Sequence, residues 1–109
     1  MSIELNIAEE YTKTPGGRHK AEGKYSGEEF REVLLRPAFI KAKETNDELV
    51  VDLDGGYGYA TSFLEEAFGG LARETQDPAV LNIRLISDEE PSLIEKILQY
   101  MKAALREKI

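Results

Sequence analysis

Hydrophobic and polar positions change period several times along the chain, and each change marks an element. Ile3, Leu5 and Ile7 alternate with Glu4 and Asn6, the two-residue period of a half-buried strand, which Glu9-Glu10 ends. Thr14-Pro15-Gly16-Gly17 is a turn signal. Residues 18–24 either extend as an edge strand or remain an arm, since only Ala21 among them is clearly apolar. Ser26 and Glu29 then have the spacing of a capping box, in which a hydroxyl and a carboxylate satisfy free N–H groups at a helix start. Phe30, Val33, Leu34, Ala38 and Phe39 follow at helical intervals. Pro37 removes a donor and clashes with the preceding turn, so two helical pieces are expected, 28–36 and 38–43.

After a turn at Asn46-Asp47, the run Leu49, Val50, Val51 and Leu53 shows no alternation until Asp52. That is the composition of a strand covered on both faces, hence central in a sheet. Asp54-Gly55-Gly56 stops it, and Gly55, Gly56 and Gly58 open backbone conformations closed to other residues. Ser62 and Glu65 repeat the capping spacing, so a second helix is expected from Ser62. Its stripe is Phe63, Leu64, Ala67, Phe68, Leu71 and Ala72, and Gly69-Gly70 within it calls for close packing or an early end. Gln76-Asp77-Pro78 links to a strand in which Leu81, Ile83 and Leu85 alternate with Asn82 and Arg84. Ser92 and Glu95 open a last helix with Leu93, Ile94, Ile97, Leu98, Met101 and Leu105 on its inner face. Alternating strands and helices predict an α/β layer with helices packed on a small sheet.

Composition narrows the function. A length of 109 residues, 41% hydrophobic, suits one domain with one core, spanning 1–109. Without cysteine there is neither disulfide nor thiolate chemistry, and with no signal peptide or long apolar run the chain reads as cytoplasmic, with no membrane partner. A net charge of −7 argues against general nucleic-acid affinity. The exception is residues 13–24, where Lys13, Arg18, Lys20 and Lys24 face Glu22 alone, a local charge of about +3.

Several groups could carry chemistry. Asp52 and Asp54 point to one side of their strand and could hold Mg²⁺, although strand-end acids beside a turn commonly have no such role. Gly56-Tyr57-Gly58 could cradle a phosphate, but the absence of Lys and Arg from 44 to 72 removes a nucleotide loop, and turn geometry explains the glycines. His19 is the single histidine and no serine sits in a nucleophile elbow, so a hydrolase triad has no support and no catalytic residue, cofactor or metal is assigned. Tyr57 and Tyr59 flank Gly58 and either form a contact surface or are buried beneath the loop.

The segments TPGGR at 14–18, YSGEEFRE at 25–32, VVDLDG at 50–55 and GYATSFLEEAFGGL at 58–71 resemble the bacterial and archaeal family of STAS-like domains of unknown function. More distantly the order strand, loop, paired hydroxyls, helix resembles STAS anti-sigma-factor antagonists. Those carry Asp-Ser-Ser/Thr-Gly where this chain has Ala60-Thr61-Ser62-Phe63. The resemblance implies a small STAS-like sheet of about four strands and a non-catalytic regulatory module that binds another protein. It also implies phosphorylation at Thr61 or Ser62 and a histidine-kinase-type ATPase as partner. Gly56, Tyr57, Gly58, Tyr59 and Glu65 are then the expected contact residues, while Ser62 acting only as a helix cap is the simpler account of its spacing. The alternative is a nucleic-acid or nucleotide-binding module using Arg18, Lys20 and Lys24, and behind it an enzyme built on Asp52 and Asp54.

Overall fold

The structure, a computed structural model, describes residues 1–106. Strands β1 (Ser2–Asn6), β2 (Glu48–Asp52) and β3 (Arg84–Ile86) form a parallel sheet in the order β1-β2-β3. Parallel strands require crossovers, and two long helices supply them: α2, residues 27–45, and α3, residues 61–75. A single-turn helix α1 (Ile7–Glu10) follows β1, and α4 (Ser92–Arg106) packs along α3. The class is α/β, but among the described residues there are three strands where about four were expected. Residues 18–24 supply none, because Lys20–Glu22 coils into a short 3₁₀ turn. The Glu22 carboxylate closes that turn by accepting the N–H groups of Arg18 and His19 at 2.9 and 3.0 Å.

β2 is central, as its composition implies, yet its faces differ. Leu49 and Val51 join Leu5 and Phe39 in the core. On the other face Ser2, Glu4, Glu48 and Arg84 are exposed. The expectation of cover on both faces is therefore corrected. Val50 is only 8% exposed because it lies between Glu4 and Arg84 on the adjoining strands.

Both crossover helices contain a widened turn. α2 runs unbroken through Pro37, against the expected division, with a π-turn at Arg31–Leu35 immediately before it. There the Arg36 N–H reaches back five residues to the Arg31 carbonyl, so the ladder shifts where the proline has no donor to give. The extra residue also rotates the buried stripe. Phe30, Leu35, Phe39 and Ala42 are inside, while Val33, expected inside, is 59% exposed. α3 has its π-turn at Glu65–Gly69 and continues to Thr75, so close packing rather than an early end explains Gly69-Gly70. A Cβ on Gly70 would strike the Arg31 guanidinium.

Two strand boundaries also move. Asn6 caps α1 by accepting the Glu9 N–H at 2.9 Å, which takes Ile7 out of β1. Asp77 likewise caps a 3₁₀ turn at Pro78–Asn82 through the Ala79 N–H at 2.9 Å, leaving β3 only three residues. Ser92, expected to cap α4, is instead its first helical residue. The N–H groups of Leu93 and Ile94 bond to the carbonyls of Glu90 and Pro91.

Candidate functional site

In parallel sheets, ligands and partners meet the loops beyond the carboxyl ends of the strands. Here that edge is built by mutual loop hydrogen bonds. The Asp52 carboxylate accepts the Asp54 N–H at 2.9 Å, and the Asp54 carboxylate accepts the N–H groups of Asp88 and Glu89, each at 3.0 Å. Glu89 in turn accepts the Gly55 N–H at 2.8 Å. The loops after β2 and β3 thus hold each other. Asp52 and Asp54 spend carboxylate oxygens on backbone donors, and no group of three or more potential metal ligands occurs among the described residues.

Beyond Asp54 the chain needs left-handed backbone at Gly55 (φ 98°) and Gly58 (φ 129°), which glycine adopts without strain. Between them the Tyr57 N–H donates to the Lys13 carbonyl at 2.9 Å. The two loop tyrosines part company. Tyr59 packs against Phe63 with ring centroids 5.9 Å apart and donates its hydroxyl to the Leu53 carbonyl at 2.8 Å. Its burial, and after that the charges of Asp52, Asp54 and Glu89, push its phenol well above the ordinary range. Tyr57 is 81% exposed and stands on a loop anchored at both ends. The hollow beside it, lined in part by Asp54, Tyr59, Glu89 and Leu93, measures about 130 Å³. Small-molecule pockets are usually about 300 Å³ or larger. A cavity of about 380 Å³ lies at the opposite end of the sheet, around Phe39, Lys43, Leu49 and Ile83, and shares no residue with this loop.

Helix α3 starts one residue earlier than expected, at Thr61, with Ala60 as its cap residue. The N–H groups of Phe63 and Leu64 both donate to the Ala60 carbonyl, at 3.1 and 3.3 Å. Ser62 is therefore inside the helix and makes no capping bond, which corrects the assignment of Ser62 and Glu65 as a capping pair. Thr61 is exposed and Ser62 half-buried. Glu65 is engaged by Arg73 at 2.6 and 3.1 Å and by Arg18. Two charge-assisted partners outweigh one terminal N–H. The Arg73 hydrogen bond, with help from Arg18, holds the Glu65 carboxyl below the usual glutamate range.

The basic residues of the arm do not extend into solvent together. Residues 12–25 form a strap over the N-terminal ends of α2 and α3, with the Gly17 and Arg18 carbonyls accepting the N–H groups of Gly27 and Glu28 at 2.9 and 3.0 Å. Arg18 contacts Glu65 and, at 3.4 Å, Glu66, while Lys20 pairs with Glu32 at 2.5 Å and Lys24 is exposed. The pairs continue inward from Glu66 to Arg31 at 2.7 Å and then back out through Glu74 to Arg36. The Arg31 and Glu66 side chains are only 9% and 12% exposed. Burial works to raise the Glu66 carboxyl, but its hydrogen bond from Arg31 and the charge beside it hold the group low. Sequence reading missed this line of charges, and its one signal was Gly70, the space that Arg31 fills.

A parallel α/β sheet whose strand-end loops present an exposed tyrosine and the start of a long helix defines a domain with a built loop surface. A family model described as a STAS-like domain of unknown function matches residues 26–88, more than half of the chain, and the chain belongs to that family. The matched region runs from the cap of α2 through the loop that follows β3 and leaves the strap outside. No curated protein and no solved structure matches the chain.

Proposed function

We propose that this domain is a non-catalytic cytoplasmic regulatory module that binds another protein through the loop from Gly55 to Ala60 and the first turn of α3. The observation that carries this reading is Tyr57, 81% exposed on a loop held by hydrogen bonds to the chain near Lys13 and Glu89. An exposed aromatic on a pre-ordered loop loses little entropy on docking. Gly56, Gly58 and Thr61 surround it as contacts, whereas Tyr59 and Glu65 support the surface from within. No helix among the described residues is long and apolar enough to cross a membrane.

Following the family resemblance, phosphate on Thr61 or Ser62 gates the contact, and the partner is a histidine-kinase-type ATPase. A dianion at this surface repels an acidic partner and strengthens an arginine-rich one. The nucleic-acid reading has less support, because Arg18 and Lys20 are already paired with carboxylates. Capture from native cells followed by calorimetry tests the reading. Tyr57→Ala should weaken the captured partner's binding, and Thr61→Glu or Ser62→Asp should shift it about fivefold or more, roughly 1 kcal/mol. Affinity unchanged by Tyr57→Ala would remove the loop as the contact surface.

A further inference from the structure

We propose that Arg18 is the receptor for a phosphate on Ser62, and that of the two neighbouring hydroxyls Ser62 alone is coupled to the strap. The inference rests on the phosphate-gated reading above and adds to it the group that answers the phosphate. Glu65 and Glu66 follow Ser62 by three and four residues, so all three lie on one ridge of α3. Among the ion pairs of the described residues, Arg18 is the cation shared by both carboxylates. Thr61 has the four-residue relation to Glu65 alone, and it is exposed where Ser62 is half-buried.

The backbone brings the strap to the same place. Gly17 accepts the Gly27 N–H at 2.9 Å, and Gly27 packs so closely on the Phe63 carbonyl that a Cβ there would collide with it. Strap, start of α2 and first turn of α3 are thus in successive contact beside Ser62. A phosphate on Ser62 without a cation would meet Glu65 and Glu66 at the spacing where like charges repel. The Arg18 side chain, 34% exposed, can turn from the carboxylates to the phosphate and offer two parallel N–H donors. Glu65 and Glu66 keep Arg73 and Arg31 when it does.

In the modification itself, the γ-phosphoryl group of a nucleoside triphosphate passes to the Ser62 oxygen. The hydroxyl proton leaves to a base of the transferring kinase as the bond to the nucleoside diphosphate breaks. Arg18 takes no part in that step and binds its product.

The test uses the full chain with phosphoserine installed during translation at position 62 or, separately, at position 61. The second ionisation of the phosphate, ordinarily near about 6, is followed by ³¹P resonance as a function of pH. At position 62 it should lie lower in the otherwise native chain than in Arg18→Gln by about half a unit, a threefold change in proton affinity. Arg18→Lys, which keeps the charge, should fall between. At position 61 the Arg18 variants should make no difference. In the chain with Arg18 intact, the Arg18 Nε resonance should move on modification at 62 and stay still at 61, a readout that does not depend on any variant folding. An ionisation at 62 indifferent to Arg18, or equal Nε responses to both positions, would overturn the assignment. Mass spectrometry of the native chain tests the gating reading separately, since absence of phosphate there would sink the gate and leave the Arg18 measurement standing.

Discussion

Ser26 and Ser62 each precede a glutamate by three residues near a helix start, and only Ser26 is a cap. Its hydroxyl accepts the Glu29 N–H at 3.0 Å and is 1% exposed, whereas Ser62 falls two positions past the cap, within the helix that Ala60 begins. Ser26→Ala should therefore cost about 0.5–2 kcal/mol. Ser62→Ala should stay within about 0.5 kcal/mol. Denaturant unfolding of the two variants decides the matter, and equal losses would restore Ser62 as a cap. Gly27 provides a second test at this scale. A methyl group there meets the Phe63 carbonyl, which backbone cannot yield cheaply, so Gly27→Ala should destabilise by about 1–3 kcal/mol in the same assay.

At the scale of elements, α2 and α3 meet through charge as well as through Phe30, Phe63 and Phe68. The Phe30 ring lies 5.8 Å from Phe63 and 6.4 Å from Phe68. Arg31 crosses between the helices to Glu66 and Glu74 from a nearly buried position. Arg31→Ala leaves Glu66 with only the longer Arg18 contact, and the loss should be about 3 kcal/mol, the low end for breaking a buried pair. The same pairs set a pH dependence. Glu65 and Glu66 are held below the ordinary glutamate value of 4.5. Their contribution is therefore complete above that value and is lost as pH falls through the lowered ones. Melting temperature should drop steeply below about pH 4.5, and Glu65→Gln should flatten that drop. A profile identical to that of the native chain would show that the pairs contribute nothing to stability.

For the whole molecule, the charge of −7 is unevenly spread, and folding changes what that unevenness means. The one basic stretch is folded back onto glutamates, so its field is largely answered within the chain. Random-sequence DNA should bind weakly at physiological salt. Tight binding with a steep salt slope, abolished by changing Arg18, Lys20 and Lys24 together, would favour the nucleic-acid reading instead.

Local pattern was enough for the elements whose signals are local. The apolar run of β2 placed that strand centrally, the Phe63 to Ala72 stripe is buried throughout, and Ser26 caps as its spacing implied. The split of Tyr57 from Tyr59 came from tertiary structure, because the two lie in one glycine loop and only the position of Phe63 and the Leu53 carbonyl selects which turns inward. Tertiary structure also decided the fate of Pro37, since a π-turn is a change of hydrogen-bond register that a period of 3.6 does not encode. Residues 18–24 and Glu65 show the same limit from both sides. Charges 47 residues apart find each other only after the sheet has brought their segments together, and their pairing turned a presumed arm into a strap and a presumed cap partner into an ion-pair centre.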